Sequence, residues 1–136
     1  MTYKGVNAYK TSTVNTADPV TLVSMLYDGA TRAIRKARLH HENGNREGFY
    51  SETERTSLIL GELLAALDME QGDLPRTLSG IYTYCMARLT ECTFDEPSNL
   101  DEVERHISRI ANSWKTVAAG IRSGNAGMSM AEGASA

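Results

Sequence analysis

The sequence is poor in the residues that build catalytic and metal centres. Its three histidines, His40, His41 and His106, are preceded three positions earlier by Ala37, Arg38 and Val103. The Glu-x-x-His signature of a di-iron helical bundle is therefore absent. There is no His-Glu-x-x-His, Cys-x-x-Cys or phosphate-loop pattern, and no Gly-x-Ser-x-Gly nucleophile elbow. The two cysteines, Cys85 and Cys92, are seven residues apart. On one helix that spacing separates them by roughly 10 Å along the axis, too far for a disulfide, so they are expected as buried free thiols suited to a reducing compartment. No metal, no cofactor and no catalytic group are expected, and the chain is not read as an enzyme. No run approaches the roughly 18 apolar residues of a membrane span, and the N-terminus has no apolar stretch of signal-peptide length. A cytoplasmic location is expected. The net charge is -3 with interspersed signs, which disfavours a nucleic-acid partner because phosphate contacts need clustered cations.

What the chain has is helical periodicity. Its 136 residues fit one domain with a core of its own. Residues 1–17 are polar and aperiodic and read as an extended N-terminal arm, with Val6 and Tyr9 among its few apolar side chains. Asp18-Pro19 is a helix start, an N-cap followed by proline in the first turn. The stripe Val23, Leu26, Tyr27, Ala30, Ala33, Ile34, Ala37 follows, up to the stop at Asn43-Gly44. His40 and His41 fall at that helix's C-terminal end, where the dipole favours them.

A second helix is predicted from about Asn45 to about Glu70, with Phe49, Thr53, Thr56, Leu60, Leu63, Leu64 and Leu67 inward. A third starts near Asp73 and is broken by Glu96-Pro97, with Leu78, Ile81, Tyr82, Cys85, Leu89 and Cys92 inward. The fourth opens at Asn99, with Glu102 placed for a capping box. Val103, Ile107, Ile110, Trp114, Val117 and Ile121 then recur at spacings of 4, 3, 4, 3 and 4.

The fold expected is all-α: an antiparallel four-helix bundle over 18–121, with the extended arm before it and a flexible, disordered tail over 122–136. On a helical wheel, Leu22, Met25 and Gly29 lie beside the first core stripe, Leu58 and Met69 lie opposite the second, and Tyr84 and Met86 flank the third. Scattered singly such residues are ordinary surface. As a group they suit a groove that receives an amphipathic helix. A regulatory or scaffolding bundle for some other helix would show the same pattern.

Several short motifs add a resemblance. Met25-Leu26-Tyr27-Asp28-Gly29-Ala30 resembles the opening helix of the flagellin-specific export chaperones, the FliS family, and Asn7-Ala8-Tyr9 resembles that family's arm. Glu62-Leu63-Leu64-Ala65-Ala66-Leu67-Asp68-Met69-Glu70 is similar to the end of its second helix, and Ile81-Tyr82-Thr83-Tyr84-Cys85-Met86 to its third, with Thr83 where the family pattern is acidic. Trp114 matches a tryptophan of its last helix. The resemblance spans roughly residues 6–121 in matching order. It implies a chaperone that covers the C-terminal segment of flagellin, prevents premature polymerisation and keeps the chain competent for flagellar type III secretion. It also implies an arm that overlies part of the groove before the client arrives, with Val6 and Tyr9 as its plugs. Client contacts are then expected at Val6, Tyr9, Leu22, Met25, Gly29 and Tyr84, with Tyr27, Tyr82 and Trp114 in the core or at its edge, their polar groups within reach of the surface. Contact with the export apparatus, and self-association at high concentration, remain open partners on this reading.

Overall fold

The computed structural model describes residues 18–135, with side chains as far as residue 123. The arm, with Val6 and Tyr9, lies outside the described residues. Among those described there are four helices and no strand: α1 Pro19–Glu42, α2 Arg46–Ala65, α3 Asp73–Glu91 and α4 Asn99–Ser135. Each helix packs on the next, and α4 closes the ring against α1. The result is the expected antiparallel bundle.

The first hairpin follows local chemistry closely. Asp18 caps α1, its carboxylate accepting from the Thr21 N–H at 3.0 Å with Pro19 in the first turn. Gly44 takes φ 73° in the turn, and Asn45 caps α2 by accepting from the Gly48 N–H at 3.0 Å. Two buried threonines on α2 are satisfied locally: Thr53 donates to the Tyr50 carbonyl at 3.1 Å and Thr56 to that of Glu52 at 2.8 Å.

Three boundaries differ from the sequence reading. α2 ends at Ala65 rather than near Glu70, because the Asp68 carboxylate accepts from the Glu70 N–H and from the Gln71 amide, each at 3.2 Å, and folds the following residues into turns. α3 ends at Glu91, ahead of Pro97, with Cys92 already extended. α4 runs on to Ser135, past the expected end of the bundle near residue 121; no proline follows Pro97 to force the backbone out of a helix.

The core stripe of α4 also differs. Ala111 and Ala118 are buried, Ile110 is half-buried and Val117 is 39% exposed. A strict alternation of 3 and 4 drifts around a helix of 3.6 residues per turn, so the larger neighbours rotate outward and the alanines face α1. Trp114 pins this rotation. Its ring is 5% exposed and its indole N–H donates to Ser24 Oγ at 2.8 Å. Across the core the Tyr27 and Tyr82 hydroxyls hydrogen-bond to each other rather than reaching the surface, and burial pushes both phenols above the usual tyrosine range. Cys85 and Cys92 are free and buried, and burial pushes the Cys85 thiol up to about 11.

Candidate functional site

The α1/α2 seam is the apolar one. A Cβ on Gly29 would lie 3.3 Å from Ile59 Cδ1. The missing side chain is thus what lets Ile59 settle against α1. Leu22, one turn N-terminal to Leu26 on α1, is half-buried, and so are Leu26 and Ile59, both packed on the core. Met25 and Leu58 stand out from it at 59% and 64% exposure. Met69, in the turn after α2, is also exposed. Leu22, Met25 and Gly29 therefore share one face of α1, and Gly29 meets Ile59 across the seam, whereas Leu58 stands on the outer face of α2.

Tyr84 does not join them. It lies on the α3/α4 seam, where its hydroxyl donates to Glu102 Oε2 at 2.5 Å and its ring meets His106 edge-on with centroids 5.8 Å apart. Arg88 completes the tie, donating from Nε to Glu102 Oε1 at 3.1 Å and from Nη2 to Asn99 Oδ1 at 2.7 Å. The Asn99 amide in turn donates to the Arg88 carbonyl at 3.2 Å. Asn99 and Glu102, predicted as a capping box, are thus spent on clamping α3 to α4. The Tyr84 hydroxyl first, and then Arg88, hold the Glu102 carboxyl below the usual carboxylate range.

Ile59 is the residue the sequence reading left out. Its signal was available, since it sits between Leu58 on the outside and Leu60 in the core, at the wheel angle of the seam. Leu39, Tyr50 and Val117 are further exposed apolar residues that were not singled out as surface. Val117 gives no hint, because it stands in the predicted stripe of α4, whereas Leu39 and Tyr50 fall off the stripes of α1 and α2 on a helical wheel. His41 stacks with Phe94 and Phe49 at centroid separations of 5.0 and 6.0 Å, so it packs the loop end of the bundle.

Among the described residues no group of three or more His, Cys, Asp or Glu side chains is placed to hold a metal ion, and no helix is long and apolar enough to cross a membrane. The described residues form an all-helical bundle with outward apolar side chains beside a filled core. Comparison with known proteins gives the family. The family model described as flagellar protein FliS matches residues 2–120. The chain is 33% identical over 123 residues to the flagellar secretion chaperone FliS of Salmonella typhimurium (85% of this chain, 91% of the relative). It is 33% identical over 119 residues to that of Escherichia coli (82% and 88%), and 30% identical over 109 residues to that of Bacillus subtilis (79% and 81%). The chain belongs to the FliS family of flagellar secretion chaperones.

Proposed function

We propose that this protein is a cytoplasmic export chaperone that binds the C-terminal segment of flagellin, prevents its premature polymerisation and holds it competent for secretion. The observation that carries this reading is the apolar seam in which Leu22 and Met25 flank the Gly29–Ile59 contact. An amphipathic segment laid on that seam buries side chains that are otherwise wet, and it folds as it binds. Ordering the segment offsets part of the gain, which keeps the complex reversible for hand-over at the export apparatus. The chemistry is binding alone. Val6 and Tyr9 are assigned to the arm, as apolar plugs that occupy the groove before the client arrives. Deleting residues 1–17 should then change client affinity or the solubility of the free protein.

The test is calorimetric titration with a flagellin C-terminal peptide and a scrambled control. One-to-one binding of the native peptide alone, with a negative heat-capacity change, is expected. Absence of binding by folded protein would assign the seam to a different amphipathic helix.

A further inference from the structure

The α1/α4 seam, on another side of α1 from the apolar face, is a groove of different chemistry. Along one half, Ala111 and Ala118 form a floor beside Trp114 and Ser24, rimmed by one acid, Asp28, and two cations, Lys115 and Arg122. Along the other, Arg38, Arg105, Ser108 and Arg109 border it with Asp101 and Glu104. Arg38 bridges Asp101 and Glu104, and Arg35 also reaches Glu104, at 3.2 Å. The two acids of this half are therefore engaged by two arginines. Arg105 and Arg109 are exposed and make no ion pair with a described residue.

The imbalance extends over the molecule. α1 together with α4 as far as Arg122 holds eight Lys and Arg against five Asp and Glu, whereas residues 46–98 hold four against ten. A chain of net charge -3 thus presents one positive side. A solvated surface gains nothing from such segregation, since like charges on one face repel.

We propose that the α1/α4 groove docks an acidic segment of a partner protein. Its carboxylates would pair with Arg105 and Arg109, and a small or apolar side chain would rest on Ala111 and Ala118 beside Trp114. Charge complementarity selects this occupant. The alanine floor admits a close backbone, and the acidic α2/α3 side repels the same segment, so encounter is steered to one face. The proposal is independent of flagellin binding, which is assigned to the α1/α2 seam.

The experiment uses the full chain. A poly-glutamate peptide is titrated at low salt and followed by emission of Trp114, the chain's single tryptophan, and by calorimetry. Saturable binding that weakens as salt rises is expected. The double variant Arg105→Glu, Arg109→Glu should bind roughly tenfold more weakly. The double variant Arg55→Glu, Arg76→Glu, at exposed positions on α2 and α3 with the same change of net charge, should bind as the parent does. Four results would overturn the proposal: no binding at low salt; equal loss in the Arg55→Glu, Arg76→Glu control, which would leave only net charge; binding to phosphatidylserine vesicles but not to the peptide, which would make the face a lipid contact; or concentration-dependent self-association abolished by the Arg105→Glu, Arg109→Glu variant without peptide binding, which would make the occupant a second copy.

Discussion

At Gly48 the ring of His40 occupies the space a side chain would need. A Cβ there would lie 2.6 Å from His40 Nδ1 and 2.7 Å from its Cγ, so the whole ring would have to move. The ring is also held from the other side. Asn45 Oδ1 accepts from the Gly48 N–H, which turns the amide nitrogen toward His40 Nδ1 at 3.2 Å, so Nδ1 is the acceptor. Alanine gains about 1 kcal/mol over glycine in an open helix, and overpacking costs roughly 1–3 kcal/mol; at Gly48 the second effect wins. Gly48→Ala should lower the denaturation midpoint. Gly80→Ala, on α3 with nothing within 4 Å of the added carbon, should raise it by about 0.5–1 kcal/mol of stability. Equal effects at the two sites in urea titrations would show that His40 does not pack on Gly48.

The helices themselves are joined unequally. α1 and α2 share a tight, capped hairpin, whereas α3 and α4 rely on the Glu102, Arg88, Tyr84 and Asn99 network across their seam. That network has a pH signature. The folded Glu102 carboxyl lies below its unfolded value, near 4.3, so its contribution is fully present above that value. It is lost as pH falls through the lower folded one. Asp18 acts in the same window and with the same sign, because the Thr21 N–H and hydroxyl lower its carboxyl. The thermal midpoint should therefore drop on acidification through the carboxylate range. Glu102→Gln should be less stable than the parent near neutrality and should lose less on acidification. A parallel displacement of the two pH curves would place the acid sensitivity elsewhere.

Over the whole molecule the candidate contacts divide between two sides. Leu22, Met25 and Gly29 belong to the α1/α2 seam, while Tyr84 belongs to α3/α4, across the bundle. A client segment short enough to cover one seam cannot touch the other. Met25→Glu should therefore weaken a short flagellin peptide about tenfold, the effect of losing one apolar contact and placing a charge at it. Tyr84→Ala should leave that short peptide unaffected, and should matter only for a longer segment that wraps the bundle. Loss of the short peptide in Tyr84→Ala with none in Met25→Glu would mean that the client lies on α3/α4 instead.

Helix existence, the first hairpin and most of the core stripes of α1 to α3 were settled by the sequence, because they follow from local chemistry; Leu26, Leu64 and Ile81 are half-buried at the edges of those stripes, and Val20 joins the core ahead of the first. Caps at Asp18 and Asn45, the glycine turn at Gly44 and the spacing of apolar residues act within a few positions of the chain. The family was legible for the same reason, in short motifs kept in register. The tertiary structure decided what depends on two elements meeting. It chose Ala111 and Ala118 over Ile110 and Val117 for the inner face of α4, because Trp114 anchors that helix to Ser24 on α1. It paired the Tyr27 and Tyr82 hydroxyls across the core. It turned Asn99 and Glu102 from a helix cap into a clamp, because Arg88 and Tyr84 compete for their oxygens. It also separated Tyr84 from Met25 and gathered Arg38, Arg105 and Arg109 on one side. A helical wheel gives each residue an angle on its own helix, and only packing says which neighbour that angle faces.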